Sequence, residues 1–560
     1  MSNILSKRIN KNSFLWVLRK NKKRLPVIGI ICLISMISSY LGVVFSLGTK
    51  SVIDTAISQD MGAFKSAAIY LAILIITILV LGLFNTHLND KLSVDLDRDM
   101  KMRLMHIILR GDYQALSKYH SGDLVHRLNT DISTVNGGLT SIFVTLCSFA
   151  VQMVSVIIVL GTISWQFTLI ILCTAIVLGG GTLIFQQMIK DLHKKINDAS
   201  GKISGFLQEV IERLLIVQAL DVGQEMEAKT DDLLETRWQL QRKRKNLGLV
   251  SMGTMSILGY VISFATLVWC ANKMYHGEMS FGTLTATTQL ASRLQAPIYT
   301  LPAVLKTLIS MTASAERLME IEEVPQEDKN SDIDLNKLYS DMESIKATDL
   351  CFSYDRDMVL KNLDFEIPKG GLTVIVGQSG SGKSTLLRLL LSIYKPNSGE
   401  LAFKCSNSDA VALSRDTRKL FTYAPQGNLL LSGTLRENLL LAKPAATDEE
   451  IDEAVRISCI EDYLPTLPNG IDTYIGENGS GLSEGQAQRV SLARAILSGA
   501  PILLLDEVTS ALDQETERRV LERIRAIEGR TCIVVTHRPA ILELADQTLS
   551  IVDGQMVEYR

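Results

Sequence analysis

Six long apolar blocks in the first part of the chain constrain its fold more than any other feature. The blocks cover residues 25–48, 66–88, 139–163, 167–187, 249–272 and 279–309. A helix rises about 1.5 Å per residue, so about 20 apolar residues cross a hydrocarbon layer about 30 Å thick. The alternative is a very hydrophobic soluble helical core. Because all six blocks reach the spanning length, we predict an α-helical membrane domain with six transmembrane helices.

Basic residues are concentrated in alternate loops between these blocks. Residues 1–24 contain eight Lys and Arg and no acid, and residues 188–246 contain eleven, whereas residues 273–278 contain one. Cytoplasmic loops carry the excess of basic residues, so both termini are predicted to be cytoplasmic. The first block is too long for a signal peptide and lacks a small-residue cleavage site. We therefore expect an integral membrane protein of a bacterial cell (inner) membrane.

The stretch NSFLWVLRKNKKRL, residues 12–25, mixes aromatic and basic side chains just before the first block. Such a stretch is typical of an interfacial helix that lies on an anionic inner leaflet. The alternative is a basic flank that only sets the orientation of the first span.

From about residue 342 the pattern changes to short apolar strands that alternate with amphipathic helices. The runs LTVIV (372–376), PILLLDE (501–507) and TCIVVTH (531–537) are almost wholly apolar, as expected of parallel strands buried on both faces. A polar stretch that becomes acidic toward its end precedes them. We predict a membrane domain over 1–322, a linker over 323–341 and an α/β domain over 342–560.

The sequence GQSGSGKST, residues 377–385, follows one of these strands and precedes a helical, leucine-rich stretch. This is the context that the P-loop pattern G-x-x-x-x-G-K-[ST] requires. Gly377 and Gly382 let the backbone wrap around phosphates, to which its N–H groups point. Lys383 places a positive charge on the β- and γ-phosphates, and Ser384 can hold Mg²⁺. The loop therefore predicts nucleotide binding by an α/β P-loop domain.

Two adjacent carboxylates and a histidine follow the other two apolar strands. Asp506 ends its strand and can orient Mg²⁺, and Glu507 comes next, where a base can polarise an attacking water. The alternative is that both carboxylates cap a helix. His537 ends the last strand and should emerge at the same sheet edge as the P-loop, where open α/β sheets bind ligands. By itself the histidine is ambiguous.

Composition excludes several other kinds of protein. The eight cysteines are scattered, with no C-x-x-C pair and no histidine cluster, which argues against a disulfide or metal framework. No basic run interleaved with aromatic residues indicates nucleic-acid binding. The net charge of −3 gives no indication of a partner.

Residues 342–560 resemble the nucleotide-binding domain of ATP-binding cassette (ABC) transporters, and the whole chain resembles an exporter-type half-transporter. The motifs occur in family order: Tyr354 in CFSYD, Gln426 in YAPQ, Glu477 in GENG, LSEGQ (482–486), Asp506–Glu507, SALD (510–513) and His537. The stretches 120–132 and 203–225 resemble the family's two cytoplasmic loops with coupling helices. A charged, solvated helical face is the alternative for those loops.

The resemblance implies a role for each matched residue. ATP and Mg²⁺ are the expected ligands, Tyr354 would stack on adenine, and Gln426 would contact Mg²⁺ together with Ser384 and Asp506. Glu507 would act as base or water orienter, and His537 and Lys383 would stabilise charge on the transferred phosphoryl group. The ATP-binding positions are Tyr354, Gly377, Ser379, Gly380, Gly382, Lys383, Ser384, Thr385, Ser483, Gly485 and Gln486.

In this family the segment LSEGQ (482–486), called the signature segment below, closes over ATP held by a second copy. The resemblance therefore implies a dimer with two ATP molecules between the chains. A homodimer is expected because every catalytic position is intact, and a heterodimer stays open. Position 484 is commonly Gly in the family and is Glu here; we expect it to be tolerated, because a loop side chain can point away from the phosphate.

The sixth apolar block carries a polar stripe that includes Gln289 and Arg293. An ionisable residue at membrane depth usually faces a cavity, so both residues are candidates for the substrate path; a structural Arg paired with a neighbouring helix is the alternative. The expected function is ATP-driven export of an amphipathic compound, such as a peptide, drug or lipid. A nucleotide-gated channel or a sensor is the alternative from another class.

Overall fold

The computed structural model describes residues 11–327, 333–354, 357–427, 430–476, 479–527, 529–536 and 538–558. They form two compact units, which are described separately. The first unit contains the residues up to Leu109 together with Tyr119–Glu323, and the second contains Arg110–Lys118 together with the residues from Val324 onward.

Helices account for nearly all of the chain up to Glu322. In chain order they are α1 Lys11–Lys20, α2 Leu25–Ile57, α3 Met61–Arg110, α4 Tyr113–Leu116, α5 Ser121–His126, α6 Ile132–Ile163, α7 Trp165–Glu212, α8 Leu214–Ala219, α9 Gly223–Tyr275 and α10 Phe281–Glu322, with a π-helix at Arg127–Asp131 between α5 and α6. Helix α10 begins at a serine cap, since the Ser280 hydroxyl accepts a hydrogen bond from the Thr283 amide at 3.1 Å.

Four helical segments are long and apolar enough to cross a membrane among the residues described: Lys22–Ile57, Met61–Arg110, Ser121–Ile163 and Gly223–Tyr275. They contain the first, second, third and fifth predicted blocks. The other two blocks lie within α7 and α10, where some side chains lie outside the described part of the chain. The number of six spans therefore stays a prediction.

Charged side chains join α10 to the start of α6 inside the first unit. Asp131 is buried and accepts hydrogen bonds from Arg317 Nε at 2.8 Å and from the Ser314 hydroxyl at 2.8 Å. Arg127 is also buried and donates to Glu320 at 2.7 Å. The π-helix places Arg127 and Asp131, one at each of its ends, against the same helix, and π-turns of this kind are frequent at functional sites.

The second unit is an α/β domain. Its strands are β1 Met342–Tyr354, β2 Asp357–Pro368, β3 Leu372–Gly377, β4 Ser398–Cys405, β5 Val411–Ala412, β6 Phe421–Ala424, β7 Gly433–Thr434, β8 Tyr474–Ile475, β9 Ile502–Asp506, β10 Thr531–Val535, β11 Gln547–Val552 and β12 Gln555–Glu558. Its helices from Leu335 onward are α11 Leu335–Asp341, α12 Lys383–Leu390, α13 Leu435–Leu440, α14 Asp448–Ile457, α15 Glu484–Leu497, α16 Gln514–Arg525 and α17 Pro539–Leu542.

A six-stranded sheet in the order β12-β11-β3-β10-β9-β6 carries the site. All neighbours are parallel except β11 and β12. The apolar runs read from the sequence are strands β3, β9 and β10, and β9 and β10 are buried along their whole length. Because β3, β9 and β10 are adjacent and parallel, the residues that follow them meet at one edge. A second, antiparallel sheet has the order β2-β1-β4-β5.

The short segment Arg110–Lys118 pairs with the chain just after Glu323. Gly111 and Gln326 form an antiparallel bridge, and the Asp112 amide donates to the Pro325 carbonyl at 2.8 Å. Tyr113 of this segment packs edge-on against Tyr394, with ring centroids 5.9 Å apart. Part of the segment between the second and third apolar blocks therefore folds with the α/β unit, which the sequence did not indicate.

Candidate functional site

The P-loop joins β3 to α12 through a turn that only glycine fits at two places. Gly377 has φ +156°, and a Cβ there would lie 2.4 Å from the Ile551 carbonyl oxygen. Gly382 has φ +102° and caps α12, which starts at Lys383. The buried hydroxyl of Ser381 has no hydrogen-bond partner among the described residues. A tight backbone turn with an unsatisfied hydroxyl at a helix start fits a phosphate.

Lys383 is held in place inside this loop. Its ammonium donates to the carbonyl oxygens of Gly377 and Gln378, each at 2.8 Å, and the residue is buried. Burial lowers the pKa of Lys383 from its ordinary value, an effect that the nearby charges of Glu507 and Asp506 oppose. An ammonium that is already desolvated and aimed along the loop is well placed to bind phosphate oxygens.

Asp506 lies at the end of β9, beside the first turn of α12. Its carboxylate accepts a hydrogen bond from the Ser384 hydroxyl at 3.2 Å and another from the Tyr423 hydroxyl at 3.1 Å. It is almost fully buried, and burial raises its pKa above the ordinary value. An aspartate and a serine hydroxyl are hard oxygen ligands of the kind that Mg²⁺ prefers, so these residues fit that ion.

Glu507 follows directly and adopts a left-handed conformation with φ +50°. Its amide donates to the Val535 carbonyl at 3.0 Å, which ties the turn to β10. Gln426, two residues after β6, donates from Nε2 to a Glu507 carboxylate oxygen at 2.6 Å. A non-glycine residue in this conformation is strained, and such strain is concentrated at functional sites. The two adjacent carboxylates therefore have different hydrogen-bond partners.

Tyr354 ends β1 and belongs to an aromatic cluster. Its ring packs edge-on against Tyr394 with centroids 5.4 Å apart. Its hydroxyl lies 3.2 Å from the Thr385 hydroxyl and accepts a hydrogen bond from Arg388 at 3.4 Å. The residue expected to stack on adenine is thus bonded to α12, the helix that carries the P-loop lysine.

The signature segment forms the start of α15. The Ser483 hydroxyl accepts from the Gln486 amide at 3.3 Å, and the Ser483 amide donates to the Gln486 side chain at 2.8 Å, which makes a capping box. Glu484 is exposed in the first turn, where its charge interacts favourably with the helix dipole. A Cβ at Gly485 would lie 2.8 Å from the Ala511 carbonyl oxygen.

A buried glutamine connects α15 to the segment SALD (510–513). Gln488 donates to the Ser510 hydroxyl at 3.1 Å and accepts from the Ala511 amide at 3.1 Å. The Ser510 amide in turn donates to the Glu507 carbonyl at 3.1 Å. A chain of hydrogen bonds therefore runs from the signature helix to the turn that carries the second carboxylate.

The structure brings together most of the residues predicted from the motifs. Lys383, Ser384, Asp506, Glu507 and Gln426 form one group at the sheet edge, while Ser379 and Gly380 lie exposed in the P-loop. His537 and Glu477 lie outside the described residues. Gln289 and Arg293 lie in the first unit on α10. The roles of all these residues stay predictions.

The sequence did not indicate four further residues at this site: Tyr423, Arg388, Tyr394 and Gln488. Tyr423 is the first residue of YAPQ and lies in β6, three residues before Gln426, so its place in the motif was the available signal. Arg388 and Gln488 stand on helices that begin at recognised motifs, five and four residues after Lys383 and Glu484. Their partners are far away in sequence, which motif spacing does not reveal.

Two family models match the chain. The model described as ABC transporter transmembrane region matches residues 28–298, and the model described as ABC transporter matches residues 360–510. The first runs from α2 into α10, and the second contains the P-loop, the signature segment and both carboxylates. Together the two models match most of the chain.

Individual proteins match over similar lengths. An ATP-dependent lipid A-core flippase of Syntrophus aciditrophicus (strain SB) is 28% identical over 463 residues, 82% of this chain and 76% of the relative. An uncharacterized ABC transporter ATP-binding protein of Bacillus subtilis (strain 168), YfiC, is 28% identical over 459 residues, 79% and 73% of the two chains. A solved bacterial Atm1-family ABC exporter with ATP bound is 20% identical, with a TM-score of 0.78 and coverage of 96% of this chain and 95% of that chain. This last likeness is one of fold.

Proposed function

Because this chain belongs to the ABC transporter family and has the architecture of an exporter half-transporter, we propose that it moves an amphipathic compound out of the cytoplasm or inner leaflet. It is an ATPase coupled to transport. The observation that carries the proposal is a pair of hydrogen bonds beside the P-loop, Ser384 to Asp506 and Gln426 to Glu507. The compound is a membrane amphiphile, a class supported by relatives that are named lipid A-core flippases.

The chain's own residues perform the steps of hydrolysis at that edge. Lys383 neutralises charge on the β- and γ-phosphates, and Tyr354 stacks on adenine. Ser384, Gln426 and Asp506 hold Mg²⁺, which supplies charge neutralisation on the phosphates when bound. Glu507 takes a proton from the attacking water or orients it. Its turn after β9 keeps this carboxylate separate from Asp506, so the two acids have different roles.

The working unit is a homodimer in which the signature segment of each chain completes the ATP site of the other. Ser483, Gly485 and Gln486 supply hydrogen-bond donors and a helix N-terminus to the γ-phosphate. Loss of that phosphate removes the group that joins the two halves and lets them separate. The intact set of catalytic residues favours two equivalent sites over a heterodimer with one degraded site.

The membrane part spans an inner membrane six times, with both termini in the cytoplasm. The blocks 167–187 and 279–309 supply the fourth and sixth spans, and Arg293 and Gln289 line the substrate path. The boundaries 1–322, 323–341 and 342–560 divide the chain into membrane domain, linker and nucleotide-binding domain. The alternation of basic loops supports this topology.

The test is ATP hydrolysis and transport by the full chain in lipid vesicles. Glu507→Gln should bind ATP with unchanged affinity, yet its hydrolysis rate should fall about a hundredfold or more, because the carboxylate that handles the water is lost. The matched control is Glu515→Gln, which changes an exposed acid in the first turn of α16. Full turnover by Glu507→Gln would remove this residue from the mechanism.

Vectorial movement separates a pump from a channel or a sensor. Inside-out vesicles that contain the protein should accumulate a fluorescent phospholipid analogue or a lipophilic dye only when ATP is present. Glu507→Gln should abolish this accumulation. ATP hydrolysis without accumulation of any compound from an amphiphile panel would contradict export.

A further inference from the structure

Arg293 lies in the first third of α10 and is half-buried in the first unit. Among the residues that the structure describes, its guanidinium has no ion pair and no hydrogen bond. Its backbone carbonyl, by contrast, accepts a hydrogen bond from Gln152 of α6 at 3.0 Å. The backbone at Arg293 is therefore bonded to α6, whereas the charge of its side chain has no counter-ion among the described residues.

Helices α2 and α6 supply the contacts of Arg293 that the described residues show, and they carry one acid between them. Helix α6 contains no Asp or Glu, and the sole acid of α2 is Asp54. Asp54 already accepts hydrogen bonds from the Ser280 hydroxyl at 2.9 Å and from the Gly282 amide at 2.9 Å, at the start of α10. Within α10 itself the first acid is Glu316, which lies 23 residues after Arg293, about 35 Å along a helix.

Space for the guanidinium is made by a glycine on α2. A Cβ at Gly42 would lie 2.5 Å from Nη1 of Arg293 and 3.2 Å from Cζ. Any larger residue at this position would push the guanidinium away from α2. Gly29 on the same helix has nothing within 4 Å of such a Cβ, so close approach is specific to the position that faces Arg293.

Two serines on α2 flank Gly42 at helical spacing. Ser38 is four residues before it and Ser46 four residues after it, so all three lie on one side of the helix. The hydroxyl oxygens of Ser38 and Ser46 are buried and have no hydrogen-bond partner in the described part of the chain, and Ser46 is fully buried. Serines in helices usually bond to the carbonyl four residues earlier, and neighbouring Thr49 does so at 2.9 Å.

The guanidinium of Arg293 and the hydroxyl groups of Ser38 and Ser46 can all donate hydrogen bonds to a negative group. A charge at membrane depth is costly, and such residues mark substrate paths. We propose that Arg293 forms an anion site that recognises a phosphate or similar anionic group of the transported compound, with Gly42 providing the space and with Ser38 and Ser46, each about 6 Å from Gly42 along α2, offering further donors. The inference rests on the proposed export function and names its substrate class.

The experiment uses the full chain in phosphatidylcholine vesicles and measures stimulation of ATP hydrolysis by probes. Dodecyl phosphate, dodecyltrimethylammonium and dodecyl maltoside share one alkyl chain and carry an anionic, a cationic and a neutral headgroup. Dodecyl phosphate should stimulate at a concentration about tenfold lower than the other two, as expected for a charge-assisted contact. Glycerol 3-phosphate tests whether the anion is a soluble compound; equal stimulation by it would identify a soluble substrate, and none would identify an amphiphile headgroup.

Substitutions then locate the site. Arg293→Gln should raise the half-maximal concentration of dodecyl phosphate about tenfold or more, while Arg293→Lys should keep part of the preference, since the charge stays. Gly42→Ala should act like Arg293→Gln although the arginine is present, and this variant decides the question if Arg293→Gln does not fold. Gly29→Ala is its control, and should leave stimulation unchanged.

Ser38→Ala and Ser46→Ala should each weaken the response to dodecyl phosphate several-fold. Ser39→Ala is the matched control, because the Ser39 hydroxyl already donates to the Ser148 hydroxyl at 3.1 Å. The proposal is overturned if wild type prefers the cationic or neutral probe, or if Arg293→Gln and Gly42→Ala keep the wild-type response. Failure of the export proposal looks different, because ATP would then be hydrolysed without accumulation of any compound in inside-out vesicles.

Discussion

Asp506 is held by two hydroxyl groups on opposite sides, Ser384 at 3.2 Å and Tyr423 at 3.1 Å. Burial raises the pKa of the Tyr423 phenol, so this group stays protonated and donates. The hydroxyl of Tyr423 fixes one carboxylate oxygen while the other faces the P-loop serine. Tyr423 is therefore a positioning residue for the carboxylate that is proposed to hold Mg²⁺.

Tyr423→Phe should weaken the affinity of the site for Mg²⁺, while the aromatic ring stays in its strand. Loss of a hydrogen bond to a charged group costs about 1.5–3 kcal/mol, so the Mg²⁺ concentration for half-maximal hydrolysis should rise about tenfold to a hundredfold. Binding of ATP without Mg²⁺ should not change. A titration of hydrolysis with MgCl₂ measures the shift.

The control for this titration is Tyr339→Phe. Its hydroxyl donates to the Gly529 carbonyl at 2.8 Å, away from the P-loop, and its loss should affect thermal stability only. If Tyr423→Phe lowers the melting temperature but leaves the Mg²⁺ titration unchanged, Tyr423 has a purely structural role.

Glu484 departs from the residue that is common in the family, and its exposed position explains why it is accommodated. The capping box is made by Ser483 and Gln486, so the acid takes no part in forming the helix start. Glu484→Gly should change the hydrolysis rate by less than about twofold, and stability should fall by about 0.3–1 kcal/mol because the favourable dipole interaction is lost. Steady-state hydrolysis and a thermal melt measure both quantities. A rise in rate of fivefold or more would show that the acid repels the phosphate.

At this scale the motifs were predictable because each is defined by residues close together in sequence. The strained turn at Glu507 and the bond from Gln426 were not, since they depend on how β6 and β9 pair. Tyr423 could be suspected only from its strand. Its partner Asp506 lies 83 residues away, and sequence spacing carries no information on that contact.

At the scale of elements, Gln488 connects helix α15 to the segment after β9 through two hydrogen bonds. Gln488→Leu keeps the size of the side chain but leaves the Ala511 amide without this partner. An unsatisfied buried group costs about 1–3 kcal/mol, so the free energy of unfolding should fall by that amount. Hydrolysis should fall several-fold as well, because Ala511 packs against Gly485.

Gln514→Leu is the matched control, since it makes the same change at an exposed position at the start of α16. Chemical denaturation and steady-state hydrolysis are measured on both variants. Equal behaviour of the two would mean that the hydrogen bonds of Gln488 do not hold the signature helix in place.

The helices and buried strands were predictable because the apolar pattern that indicates each of them lies within one continuous stretch of sequence. The runs at 372–376, 501–507 and 531–537 are strands β3, β9 and β10, and the first apolar blocks lie in long helices. The π-helix at Arg127–Asp131 was not expected. Its two end residues form ion pairs with Glu320 and Arg317, which lie almost 200 residues later in the chain. Such distant pairs give no signal in an amphipathic pattern.

At the scale of the whole molecule, each of the two units is built from two separate parts of the sequence. Arg110–Lys118 folds with the α/β unit through the bridge of Gly111 to Gln326 and the packing of Tyr113 on Tyr394. Tyr394 in turn packs against Tyr354. A segment between the second and third apolar blocks thus reaches the aromatic cluster at the proposed adenine site. Composition could not predict this, because the segment is too short to have a pattern of its own.

The proposed dimer predicts that two variants, each inactive by itself, recover hydrolysis when they are combined in one dimer. Lys383→Ala disables the P-loop, and Gly485→Asp places a charged side chain where a Cβ would already lie 2.8 Å from the Ala511 carbonyl oxygen. Each variant alone should be inactive. If each ATP site combines the P-loop of one chain with the signature segment of the other, a mixed dimer of the two variants contains one site with both defects and one intact site.

Mixed dimers are isolated with two different affinity tags, one on each variant, and their hydrolysis is compared with that of the singly mutated dimers. The intact site should restore about half of the wild-type activity if the two sites act independently. If P-loop and signature segment of the same chain formed the site, both sites of the mixed dimer would carry one defect, and activity would stay at the level of the inactive parents. Restored hydrolysis therefore requires that the signature segment of each chain completes the ATP site of the other chain. An inactive mixed dimer would contradict this shared site.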